Sequence, residues 1–247
     1  MAEWLTGSRH CWLTASFQEG PWPEGSIMTQ DSTTPQDFPG LHLGMSAFEV
    51  LRRKNFVYVD KTKYFLDLLK EPKFIFCARP RRFGKSLTLS ALDAFFSGRE
   101  ELFRGLAAES YMRSPDFLAR PVIRLDMSVA VPGDTIADLS ASVMDILREN
   151  AARHNVSLHG PNIANVFYNL ISDVYNSTGN EVVLLIDEYD APVIDAIVST
   201  HKKISNPELL SARRSAMQDF YLMIKSSEAR IEMAFITGIT KFSRMGV

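Results

Sequence analysis

Five consecutive aliphatic residues, VVLLI at 182–186, have no polar side to turn toward water. Successive side chains of a strand point to opposite faces, so such a run is buried only where both faces of its sheet are covered. KFIFCA (73–78) and MAFITG (233–238) are nearly as apolar, and VIRLDMS (122–128) is another strand candidate. The stretches between them carry apolar residues at helical spacing. SLTLSALDAFFSG (86–98) is expected to be helical and to stop at Gly98. Further helices are expected over 135–154, with Asp134 as cap, over 162–176, and over 207–227, where Pro207 suits the first turn. Ahead of the first strand, 46–54 reads as a helix capped by Ser46 and 56–59 as an extended piece. In 60–71 a helix would put Tyr64, Phe65, Leu68 and Leu69 on one face. Strands alternating with helices predict an α/β fold with a parallel sheet covered on both sides.

The chain has 247 residues, 46% of them hydrophobic and 23% charged, which suits a globular domain with a sizeable core. Its net charge of −2 does not favour a polyanion partner, so contact with nucleic acid would need a local basic patch. Two cysteines, Cys11 and Cys77, form neither a disulfide framework nor a zinc cluster, a pattern that suits a cytoplasmic protein. No apolar run is long enough for a membrane span, and a secretory signal is not evident. Residues 1–42 differ from the rest. They hold Trp4, Trp12 and Trp22 and stretches such as GPWPEG, without a sustained period, and read as a flexible or disordered extension ahead of a domain over 43–247. Either 1–27 is a genuine tail or translation begins at Met28.

The chemistry concentrates in two places. ARPRRFGKSL (78–87) joins the first strand to a helix. A phosphate-binding loop needs inward-facing backbone N–H groups, a lysine for the β and γ phosphates and a Ser or Thr hydroxyl for Mg²⁺, all at a helix N-terminus. Gly84, Lys85 and Ser86 satisfy the second half of that pattern, Walker A. The first half departs from it: Arg79 stands where the first glycine belongs, and Pro80 has no N–H. Arg79, Arg81 and Arg82 either add positive charge near phosphates or form a solvated basic patch. The second place is VVLLIDEYD (182–190). A Mg·ATP site needs a carboxylate at a strand tip, and hydrolysis needs a group to orient or deprotonate water. Asp187 fits the first role and Glu188 the second, as in a Walker B motif. Alone, this is equally a solvated acidic turn; beside the loop it points to nucleotide. At the tip of MAFITG, Thr237 is the first candidate to read a γ-phosphate and Thr240 the second. Lys241 and Arg244 read as ordinary strand-end cations.

YVDKT (58–62), FCARPRRFGKSLTLSAL (76–92), SGREELFRGL (97–106), VVLLIDEYDAPV (182–193) and FITGITKFSR (235–244) together resemble the bacterial AAA-ATPase-like family in order and spacing. The resemblance implies a three-layer P-loop NTPase fold of the additional-strand class, with sheet order 5-1-4-3-2. It makes RPRRFGKS that family's own phosphate loop, so that Arg79, Arg81, Arg82, Phe83, Gly84, Lys85, Ser86 and Leu87 become nucleotide contacts. Ser86 and Asp187 become Mg²⁺ contacts and Glu188 the catalytic member of the acidic pair; Thr237 is expected to be catalytic from its place at the strand tip alone. YVDKT packs near the nucleotide base, or Asp60 or Thr62 caps a helix. Members of the family usually continue into a nuclease-like domain. This chain stops at Val247, so the expectation is a fragment whose last strand is missing and whose contact with nucleic acid would run through the absent domain. The function expected is ATP binding with ATP hydrolysis. The alternatives are a non-hydrolysing nucleotide-dependent switch, in a homo-oligomer or with a protein partner, and a nucleic-acid binder using RPRR.

Overall fold

The computed structural model describes residues 40, 44–70, 73–130, 135–194 and 207–239. The N-terminal extension (except Gly40), Asp134, Thr240, Lys241 and Arg244 therefore lie outside the described residues. In chain order the elements are α1 (Phe48–Arg53), α2 (Lys63–Leu68), β1 (Phe74–Ala78), α3 (Lys85–Phe96), α4 (Glu109–Met112), β2 (Val122–Asp126), α5 (Ile136–His154), α6 (Ile163–Thr178), β3 (Val182–Asp187), α7 (Pro207–Ser226) and β4 (Ile231–Gly238).

The four strands form one parallel sheet in the order β1-β4-β3-β2. Along β3 every residue is buried. Val182, Leu184 and Ile186 join Ile123 and Leu125 of β2 and Ala234 and Ile236 of β4 in a core completed by α5, α6 and α7. The other face of the sheet takes α3, which packs on β3 and β2 and is itself backed by α1. Helices on both faces make the three-layer α/β architecture of P-loop NTPases, with the 1-4-3-2 portion of the expected order.

Several local expectations shift. β1 is half-buried rather than covered on both faces, because among the described residues it pairs only with β4 and stands at an edge. The second strand ends at Asp126, whose carboxylate accepts from Ser128 N and turns Met127–Val129 into a 3₁₀ turn. The helix at 60–71 shrinks to Lys63–Leu68, and only Phe65 of its apolar face is buried, against Phe95. The first helix starts after Ala47, not at Ser46. The cap of α5 is Thr135, which forms a reciprocal capping box with Asp138. Gly98, at φ 72°, ends α3 as expected, since a left-handed residue after the last turn favours glycine.

Candidate functional site

The parallel register brings the carboxyl ends of the strands together, which is where ligands bind in open α/β sheets. Ala78 pairs with Gly238, Ile186 with Ile236, and Asp126 with Asp187. The loop 79–84 leaves β1 and enters α3, its chain held to β4 by a hydrogen bond from Arg79 N to Gly238 O of 3.1 Å. Pro80 through Gly84 are exposed. Gly84 is left-handed at φ 74° and stands at the N-cap of α3 with no side-chain cap. The first-turn N–H groups of α3, at Lys85, Ser86 and Leu87, thus have neither an intrahelical acceptor nor a cap, the condition that makes a helix N-terminus an anion cradle. Arg82 is also left-handed, at φ 67°, an unusual conformation for a residue with a Cβ.

Lys85 is only 8% exposed. Its Nζ donates to the carbonyls of Arg79 at 3.0 Å and Pro80 at 3.1 Å. The ammonium therefore sits inside its own loop, on backbone oxygens. Arg81 and Arg82 extend from the same loop in exposed positions, and Phe83 is 63% exposed at its tip.

Across β4 lies the second motif. Asp187 ends β3 at 2% exposure and accepts the Thr237 hydroxyl at 2.5 Å. Thr237 is fully buried, and its oxygen also receives Glu188 N at 3.3 Å. That hydroxyl has one proton and here gives it to Asp187, so Thr237 is bonded to both members of the acidic pair. Glu188 adopts φ 47°, left-handed at the point where the chain turns out of the sheet. Burial pushes its carboxyl above the ordinary glutamate range and the Asp187 charge adds to this, while Lys85 and Arg81 pull it back down. The two motifs, remote in sequence, thus share one electrostatic environment. Asp126, unremarked in the sequence, adds its charge from the tip of β2.

The site is braced by residues without obvious motif roles. Asp190 accepts Ile239 N at 2.9 Å, and Tyr189 N donates to Thr237 O at 3.0 Å. Arg213 of α7, buried, donates to Pro192 O at 3.0 Å and ties that helix to the segment beyond IDEYD. YVDKT has a structural part. Asp60 Oδ1 accepts Thr62 N and Oγ1, its Oδ2 accepts Ala107 N at 2.8 Å, and Thr62 Oγ1 accepts Ala108 N at 3.0 Å. Thr62 makes no side-chain cap to α2. The motif instead pins the turn after SGREELFRGL, which Arg52 also grips through Leu102 O at 2.7 Å.

Among the described residues, no group of three or more His, Cys, Asp or Glu side chains is arranged to hold a metal ion by itself. Asp187 at the end of β3 and the Ser86 hydroxyl in the first turn of α3 would suit instead a Mg²⁺ that arrives with phosphate oxygens as its other ligands. No helix among the described residues is long and apolar enough to cross a membrane.

The family model described as "AAA-ATPase_like: Predicted AAA-ATPase" matches residues 42–247. A curated relative, "Uncharacterized protein in vnfD 5'region" of Azotobacter chroococcum mcd 1, is 32% identical over 209 residues. The match covers 84% of this chain and 38% of the relative, so the chain spans well under half of that protein's length. No solved structure matches. The strand–RPRRFGKS–helix unit, the acidic pair at the tip of β3 and the family match agree: the chain belongs to the predicted AAA-ATPase family.

Proposed function

We propose that this domain binds Mg·ATP at the loop 79–87 and hydrolyses it at the tips of β3 and β4. The observation that carries the reading is the sheet register, which sets the loop leaving Ala78 beside Gly238 of β4 and the acidic end of β3 on the other side of the same strand. The charges of Lys85 and Arg81 acting on the raised Glu188 carboxyl support it. Perturbed carboxylates beside an anion cradle mark sites of proton transfer.

In this reading Lys85 leaves the carbonyls of Arg79 and Pro80 for the β and γ phosphates, and the N–H groups of Lys85, Ser86 and Leu87 take phosphate oxygens. Gly84 keeps the backbone close to them. Arg79, Arg81 and Arg82 supply the charge that the missing glycine and Pro80 do not, and Phe83 borders the loop on its solvent side. Mg²⁺, held through the Ser86 hydroxyl and Asp187, neutralises charge on the phosphates when bound. Glu188 orients a water and accepts its proton as the water oxygen bonds to the γ-phosphorus and the bond to the ADP oxygen breaks. Thr237 holds Asp187 and the Glu188 backbone in register. ATP rather than another nucleotide rests on the family.

A second reading, a nucleotide-dependent switch without turnover, is favoured by one feature: the Lys85 ammonium is closed on its own loop, so binding requires that loop to open. Phosphate release from ATP by wild type and Glu188→Gln, beside binding to both, tests the two. Turnover lost with binding kept supports hydrolysis. Binding with no turnover in either protein supports the switch.

A further inference from the structure

Gly238 is the residue at which the two motifs meet. Its carbonyl accepts Arg79 N at the root of the loop. A Cβ placed on it would lie 2.3 Å from Cε1 of Tyr189 and 3.0 Å from Asp190 Oδ1. The Tyr189 ring, buried, fills the space a side chain would need and is itself fixed edge-on to Phe76 of β1, with centroids 4.9 Å apart. The residue before Gly238 holds Asp187 through its hydroxyl, and the residue after it is held by Asp190, a carboxylate 1% exposed. Asp190 also starts a helical turn, its carbonyl accepting Ile194 N at 2.9 Å. One three-residue stretch, 237–239, is therefore bonded to the loop, to the acidic pair and to the turn that follows it.

We infer that Asp190 and Tyr189 are positioning residues that fix the tip of β4, and that this tip links the loop at 79–87 to the Mg²⁺ side of the site. The inference rests on the nucleotide reading above. Neither residue needs to touch the nucleotide. Releasing Ile239 from Asp190 lets the β4 tip shift, which moves the Thr237 hydroxyl and with it Asp187. Arg79 at the root of the loop is tied to the same tip, but the first turn of α3 is held by its own helix, with Thr88 N on Gly84 O at 2.9 Å. Contacts made by the loop should thus survive where contacts made through Asp187 fail.

The test compares ATP affinity in the presence of Mg²⁺ and in EDTA, for wild type, Asp190→Ala and Asp190→Asn, with melting temperatures. It requires no turnover. The asparagine side-chain oxygen still accepts from Ile239 N, whereas alanine offers nothing. Asp190→Ala should keep its Mg²⁺-free affinity within about twofold of wild type and lose about tenfold of the gain that Mg²⁺ confers, the worth of one charge-assisted hydrogen bond. Asp190→Asn should retain that gain. Amide exchange in wild type gives an independent arm should the alanine variant not fold: Mg·ATP, but not ATP in EDTA, should slow exchange over 237–239. An unchanged Mg²⁺ gain in a folded Asp190→Ala, or equal weakening with and without Mg²⁺, overturns the inference and leaves nucleotide binding standing. So does exchange that ignores Mg²⁺. Absence of ATP binding by folded wild type overturns the underlying reading and this inference with it.

Discussion

The Thr237 hydroxyl donates to Asp187 Oδ1 at 2.5 Å while Glu188 N donates to the same threonine oxygen at 3.3 Å. A neutral side chain on β4 thus organises both acidic residues at the end of β3. Thr237→Val removes the hydroxyl donor from a buried carboxylate, while Glu188 N keeps Asp187 Oδ1 at 3.1 Å as acceptor, and should cost about 1–3 kcal/mol of stability. Thr237→Ser keeps the hydroxyl and should lose only about 1 kcal/mol for the missing methyl group. Denaturant melts of the three proteins check the order.

Glu188 is left-handed at φ 47°. That conformation costs a residue with a Cβ about 1 kcal/mol or more, which glycine escapes. Glu188→Gly should therefore leave stability unchanged or raise it by about 1 kcal/mol, and abolish turnover. Glu188→Gln should bind Mg·ATP as wild type does and turn over about 10²–10⁴-fold more slowly, the usual worth of a positioned base. Melting temperature and phosphate release separate the two effects.

The pH dependence follows from the same carboxyl. Burial and Asp187 hold its pKa above the ordinary value in the folded protein. A base works deprotonated, so turnover should fall on acidification through a limb above the ordinary glutamate range. For stability the sign is opposite. Between the unfolded and the raised folded pKa the native state binds more protons, so this group's contribution falls as pH rises through that window. Removing the Lys85 charge, which pulls the pKa down, should push the limb further up. A pH–rate profile on the ordinary glutamate value would contradict the environment described.

Asp60 is tied to Thr62 and Ala107, away from the loop at 79–87. Asp60→Ala should lower stability by about 1–3 kcal/mol, because it strips the acceptor from two backbone N–H groups. Nucleotide affinity should stay within about twofold of wild type, a change of under half a kcal/mol. A large loss of affinity in a folded Asp60→Ala protein would instead put YVDKT at the nucleotide.

Much of the frame was legible. VVLLI could only be a covered strand, and Gly98 stopped its helix for a conformational reason visible in the residue itself. Lys85 and Asp187 stand where strand–loop–helix and strand–acid patterns put them, at the start of α3 and the end of β3. What escaped depended on partners far off in the chain. KFIFCA reads as a central strand, yet its burial depends on what lies on its far side. The partner of the Thr237 hydroxyl, Asp187 Oδ1, lies fifty residues away, and nothing local fixes it. Asp60 reads as a helix cap from its neighbours alone, and accepts Thr62 N two residues on, but its long-range donor, Ala107 N, is set by packing. Tyr189 and Gly238 make sense only against each other. The Thr135–Asp138 capping box is a local signal one residue beyond Asp134, and the Asn162 cap of α6 is another.

Whether ARPRRFGKSL binds phosphate despite Arg79 and Pro80 is read by calorimetry of Mg·ATP with wild type and Lys85→Ala. Lys85 carries the one ammonium held inside that loop among the described residues. Wild type should bind saturably and the variant should lose at least about tenfold, as expected for a hydrogen bond between charged groups. Equal affinity in both proteins, or no binding by a folded wild type, would contradict phosphate binding by this loop.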